Sequence, residues 1–156
     1  MWFSRKQVAK SPPDGEVDGA QTLPRQITTK SRGDAAEAAA LAYLVRAGLR
    51  LIETNYRTPG RGGGEIDLVM RAPDGTLVFV EVRQRSGASH GGAAASISAV
   101  KQRRIIFAAR HYLMRFATPP PCRFDVLLVQ GSLVKGVQSE GPDACIEWLP
   151  AAFDAS

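Results

Sequence analysis

The stretch GEIDLVMRAPDGTLVFVEVRQR, Gly64 to Arg85, holds Glu65, Asp67, Glu81 and Arg83 inside two apolar runs. Charge in such runs is costly unless it is paired or binds a ligand. Carboxylates offer only oxygen donors, which suit a hard divalent ion, Mg2+ or Mn2+, with water or substrate phosphate completing the shell. The same residues also admit an ion network, with Arg83 answering Glu65 and Glu81. One arginine satisfies one carboxylate well or two poorly, so that network leaves Asp67 unexplained. The metal reading is preferred.

The turn between the runs places these groups. Pro73-Asp74-Gly75 fits a three-residue hairpin loop, with proline preset at the second turn position and glycine at the left-handed bulge. Ala72 then pairs with Thr76, and outward from there 70 faces 78, 68 faces 80, 67 faces 81 and 65 faces 83. Opposite residues share a side of the sheet. One face collects Ile66, Leu68, Met70, Val78, Val80 and Val82; the other collects Glu65, Asp67, Val69, Phe79, Glu81 and Arg83. A shift of one residue would mix the two faces. Asp67 and Glu81 become neighbours about 5 Å apart at Cβ, and a shared proton or a cation relieves their repulsion.

Two helical residues extend the candidate set. Glu37 falls in the apolar stripe of Leu41, Leu44 and Val45, which aims it at the sheet. Asp34-Ala-Ala-Glu37 also resembles a capping box, in which Glu37 only serves the helix start. Lys101 lies in the first turn of a second helix, where a cation opposes the helix dipole and favours a nearby anion. An ordinary snorkelling lysine fits that position as well.

The elements that must carry these residues follow from pattern and punctuation. A helix runs from Asp34, as N-cap, to Gly48. Strand LRLIETNYR, the glycine-rich TPGRGGG and the two hairpin strands come next. The loop RSGASHGGAAAS leads to a helix from about Ala99 to Phe116, capped by Ser98. Strand RFDVLLV follows, and ACIEWLPAAF suggests a short last strand. The order predicts an α/β protein with a mixed central sheet flanked by helices. Residues 1–30, with Pro12, Pro13 and Pro24 and little apolar periodicity, are expected to form a flexible basic arm, leaving 31–156 as one domain. The glycine-rich loops match no phosphate-cradling fingerprint and are expected to be mobile segments beside the site.

The chain has 156 residues, enough for one domain with a real core, and a net charge of +5. From Val82 to Phe124 there is no Asp or Glu, while Arg83, Arg85, Lys101, Arg103, Arg104, Arg110, Arg115 and Arg123 all fall there. One-signed charge favours a polyanion, and nucleic acid is the commonest; a merely solvated basic face is the bland alternative. The nucleic-acid candidates are Arg83, Arg85, Lys101, Arg103 and Arg104. Cys122 and Cys145 form no metal-binding or disulfide pattern and are expected to be free thiols. No window has the length of a membrane span and no signal peptide precedes the fold, so a soluble, cytoplasmic protein is expected.

Together, QITTKSRGDAAEAAALAYLVRAG, NYRTPGRGGGEIDLVMR, VFVEVRQR, GGAAASISAVKQRRI and CRFDVLLV resemble the YraN family of small bacterial proteins, over about Gln26 to the C-terminus. That family is similar in turn to the restriction-endonuclease-like fold of PD-(D/E)-x-K nucleases and archaeal Holliday-junction resolvases. The resemblance implies an αβββαβ core whose helix glutamate, strand aspartate and Glu-x-Lys motif form the metal site. The matching positions are Glu37, Asp67 and Glu81-Val82-Arg83. Arg83 stands where the wider superfamily has lysine, and several YraN relatives share it. Arginine stays protonated and cannot accept a proton from water, but its planar fork can clamp phosphate.

The resulting expectation is a nucleic-acid-binding protein, DNA preferred over RNA, with an endonuclease-like site. Asp67 and Glu81 would be metal ligands, Glu37 a ligand or supporting acid, and Arg83 and Lys101 phosphate clamps. Glu65 is expected to pair with Arg83. The rival is an inactive module that kept the fold and binds nucleic acid or a protein partner. Junction resolvases act as dimers, which leaves a homodimer open, with no dimer face identified.

Overall fold

The computed structural model describes residues 29–85, 97–130 and 146–155. In chain order the elements are α1 (Thr29–Arg46), β1 (Arg50–Arg57), β2 (Glu65–Arg71), β3 (Leu77–Arg85), α2 (Ala99–Leu113), β4 (Cys122–Gln130) and β5 (Ile146–Phe153). This is the expected αβββαβ order, closed by the suggested last strand. The strands form one five-stranded sheet in the order β1-β2-β3-β4-β5. Only β3 and β4 pair in parallel, joined by the α2 crossover, so the sheet is mixed.

The hairpin loop behaves as its residues dictate. The Ala72 N–H donates to the Thr76 carbonyl at 2.9 Å, and Gly75 takes a φ of 90°, where a side chain would be strained. Asp74 Oδ1 accepts the Thr76 N–H at 2.9 Å. The register follows: Leu68 faces Val80 and Met70 faces Val78.

Each sheet face is covered by one helix. Leu68, Met70, Val78 and Val80 pack with Ala36, Ala40 and Leu44 of α1. Val69, Phe79 and Phe124 pack with Ile105, Ala108, Ala109 and Tyr112 of α2. Ile66 departs from the expected alternation and lies in the α2 cluster beside Tyr56. The regular β2–β3 ladder ends at Leu68–Val80, so the hairpin register does not extend to Ile66.

Helix α1 begins at Thr29, inside the span expected for the arm and ahead of Asp34. Asp34 is therefore a helical residue rather than the cap, and the capping-box reading of Glu37 falls away. The far end is as expected. Gly48, at φ 98°, donates to Val45 while Leu49 donates to Leu44, a Schellman closure in which Leu44 and Leu49 are both buried. Helix α2 is capped by Ser98, whose Oγ accepts the Lys101 N–H at 3.2 Å. Its final turn stops short of Phe116, which still packs against the core.

The TPGRGGG loop is closed at its base by paired hydrogen bonds. Thr58 Oγ1 accepts the Gly64 N–H at 2.8 Å, and the Thr58 N–H donates back to the Gly64 carbonyl at 3.1 Å. Gly64 lies directly under α2: a Cβ there would meet the Arg104 carbonyl oxygen at 1.9 Å. The second glycine-rich loop, residues 1–28 and Cys145 lie outside the described residues. Among the described residues, no helix is long and apolar enough to cross a membrane.

Candidate metal centre

The acidic residues meet where the sheet opens. Beyond Leu68–Val80, Asp67 does not continue the backbone ladder against Glu81. Its Oδ2 instead accepts the Val82 N–H at 2.8 Å, so a side chain replaces a strand in satisfying that donor. The expected pairing of Asp67 with Glu81 thus becomes a side-chain relationship. The two carboxyl groups interact directly, each altering the other's proton affinity.

Glu81 is 4% exposed, on a strand interior to the sheet. Lys101 reaches it from the first turn of α2, with Nζ 3.3 Å from Oε1. Oε2 is buried and finds no hydrogen-bond donor. Burial, followed by the charge of Asp67, pushes the Glu81 carboxyl up to about 8, against the opposing pull of Lys101. Asp67 is also raised, chiefly by burial, while the Val82 N–H and Lys101 hold it back. At neutral pH the pair is therefore disposed to share a proton rather than carry two full charges.

Glu37 approaches from the opposite helix. Its pKa is raised first by burial and next by the charge of Asp67, while a hydrogen bond with the Asn55 side chain lowers it. Asn55 was not anticipated as a site residue. It lies between the pairs Thr54–Leu68 and Tyr56–Ile66, which puts it beside Asp67 across the β1–β2 ladder. Its φ is 51°, a left-handed conformation that asparagine tolerates better than most residues. The signal in the sequence was that single asparagine within strand LIETNYR. Asp34, Glu37, Ala38, Leu41, Thr54, Asn55 and Leu68 line an open cleft of about 290 Å³ on this side.

The other candidates sort by position. Arg83 and Arg85 lie half-buried along β3 beyond Glu81. Arg103 and Arg104 are exposed on α2. Glu65 pairs with Arg57, its cross-strand neighbour on β1, at 3.2 Å. That pairing corrects the expected Arg83 partner, because β1 borders β2 directly where the β2–β3 ladder has ended. A second buried carboxylate, Asp125, lies elsewhere and is fully committed. It accepts from Arg123 Nε at 3.1 Å, Trp148 Nε1 at 2.9 Å and the Ala151 N–H at 2.9 Å.

The Asp67–Glu81 pair suits a divalent ion in its donor chemistry: two oxygen ligands, mutual repulsion and an orphaned Oε2. Among the described residues, no group of three or more Asp, Glu, His or Cys side chains converges to hold a metal. An ion there would draw its remaining ligands from water and phosphate, the habit of Mg2+.

The chain has close relatives of known sequence. It is 78% identical to a UPF0102 protein of Polaromonas naphthalenivorans strain CJ2 over 156 residues, the whole of both chains. A UPF0102 protein of Polaromonas sp. strain JS666 is 74% identical over the same full length. One from Albidiferax ferrireducens is 66% identical across 82% of this chain and 91% of its own. Residues 36–129 match the family described as "Uncharacterised protein family UPF0102", a span that opens just before Glu37 and closes at the end of β4. With that match and full-length relatives of such identity, the chain belongs to the UPF0102 family.

Proposed function

We propose that this protein binds nucleic acid and hydrolyses its phosphodiester bonds with Mg2+ or Mn2+ held by Asp67 and Glu81. The observation that carries this reading is the buried Glu81 Oε2, which has no donor and lies in a carboxylate pair disfavoured in its doubly ionised form. A divalent ion there would supply Lewis-acid polarisation of a phosphoryl oxygen. The protein's own groups do the rest. Lys101, 3.3 Å from Glu81 Oε1, would exchange that contact for one with phosphate, bringing a cation to the reacting group. It also supplies a lysine from α2 where the strand motif has Arg83. Arg83 serves as a clamp on phosphate, and Glu37, braced by Asn55, adds negative charge beside Asp67.

The basic segment from Val82 to Phe124 supports nucleic acid as the polyanion. A second reading, a binding module without chemistry, draws on Arg83 in the motif and on the ion pair of Lys101 with Glu81. The two separate in an assay of divalent-dependent cleavage on branched, single-stranded and duplex DNA and on structured RNA. The nuclease reading expects cleavage that is lost in Asp67→Asn and Glu81→Gln. Binding without cleavage, indifferent to both substitutions and to EDTA, would establish the module instead.

A further inference from the structure

The outer face of α2 carries a feature that the metal centre does not use. Phe107 is 54% exposed, midway between Val100 at 51% and Met114 at 78% on the same face. Arg103 and Arg104 lie one turn before Phe107 and Arg110 one turn after, all exposed. Arg103 and Arg104 make no ion pair among the described residues. Arg110 donates to the Ala155 carbonyl at 3.2 Å. The buried side of the same helix is complete without this face, through Ile105, Ala108, Ala109 and Tyr112.

Three exposed apolar side chains on one helix face ask for a partner. A second copy of the chain would meet it poorly: α2 contains no acidic residue, so helix-to-helix pairing would set arginine against arginine. Charge complementarity favours a polyanion, and an exposed aromatic ring among arginines gives an unstacked base a flat surface. A paired duplex hides its base faces, leaving phosphates, sugars and groove edges to meet such a surface. Lys101, in the first turn of the same helix, meets Glu81 on the sheet side, so one helix carries both the platform and a residue of the candidate site.

Building on the nucleic-acid reading above, we propose that the Phe107 face of α2 is a stacking platform for unpaired nucleotides, and that it directs the protein to substrates with a single-stranded segment. The arginines hold the backbone and Phe107 takes a base. Val100 and Met114 extend the apolar surface on either side.

Fluorescence anisotropy with the full chain tests this, using a labelled single-stranded DNA of mixed sequence and a blunt duplex of the same length. Wild type is expected to favour the single strand. Phe107→Ala should weaken single-strand binding by roughly tenfold or more, leave duplex binding within about twofold of wild type, and preserve the circular dichroism spectrum. Phe107→Trp should retain single-strand binding, and Arg103→Gln should weaken both ligands and reduce the salt dependence. Equal losses on both ligands in Phe107→Ala, or no loss on either, would overturn the platform while leaving nucleic-acid binding intact. A wild-type dimer that dissociates in Phe107→Ala would assign the face to self-association and overturn the proposal. Absence of wild-type binding to either ligand would instead remove the nucleic-acid reading itself, and the platform with it.

Discussion

The Lys101 ammonium lies 3.3 Å from Glu81 Oε1, bringing a helix cation to a carboxylate on the sheet. Lys101 belongs to α2 and Glu81 to β3, so their contact depends on how closely the helix seats on the sheet. Gly64 sets that distance, because its missing side chain lets the Arg104 carbonyl come down onto the start of β2. The motif arginine is therefore not the whole story of the site's cations. A lysine is present, delivered from the helix.

Gly64→Ala tests that seating. The added Cβ would lie 1.9 Å from the Arg104 oxygen and 3.1 Å from Ala108 Cβ, so backbone must move. The expected cost is about 2–4 kcal/mol of stability, read by urea denaturation, with cleavage lost as Lys101 withdraws. Gly33→Ala is the control. Its Cβ meets nothing within 4 Å inside α1, and it should stabilise by about 0.5–1 kcal/mol.

Stability should depend on pH through Glu81. The folded protein holds this proton up to about pH 8, against 4.5 for an ordinary glutamate. Between those values the folded state binds more protons than the unfolded chain. Stability therefore falls as pH rises through the window, by up to about 1.4 kcal/mol per pH unit. Asp67, also raised, acts in the same direction. Calorimetric Tm values in EDTA should decline toward pH 8 in wild type and stay flatter in Glu81→Gln. Mg2+ should recover the wild-type loss above pH 8, where both carboxylates become ionised.

Lys101→Met should reduce cleavage by about a hundredfold or more, the usual scale for losing one charge-stabilising group. It should also raise the pKa of Glu81 further, since Lys101 is a force lowering it. Arg83→Ala should act mainly on substrate affinity. Cleavage rates at saturating and limiting substrate separate the two, with Lys101 acting on kcat and Arg83 on KM.

Asp125 should prove structural. Asp125→Ala leaves the Trp148 Nε1 and Ala151 N–H groups without their acceptor and Arg123 without its counter-ion. A loss of about 3 kcal/mol or more is expected in urea denaturation. Metal affinity of the folded fraction should be unchanged, in contrast to Asp67→Asn.

Much of this organisation was legible in the residues, for identifiable reasons. Pro73-Asp74-Gly75 allows one short loop, and that loop sets the register from Leu68–Val80 inward. Gly48 and Ser98 act through local backbone chemistry and behaved as expected. The start of α1 is not legible in the residues, because Asp34 makes a plausible cap while Thr29 to Gly33 carries no apolar stripe to announce a helix. The exit from the ladder at Asp67 was not legible, since it depends on a side chain reaching the Val82 N–H across the gap between strands. Asn55 escaped for a related reason. Its role follows from a left-handed φ and a neighbouring helix, neither of which alternation encodes.

The central claim, that Asp67 and Glu81 together hold a divalent ion, is tested most directly by calorimetric titration of Mn2+ into the protein above pH 8, where the shared proton competes least. The account predicts one site per chain in wild type, abolished or weakened at least about tenfold in both Asp67→Asn and Glu81→Gln and unchanged in Asp125→Ala. Wild-type protein that binds no Mn2+, or a site indifferent to both Asp67→Asn and Glu81→Gln, would contradict it.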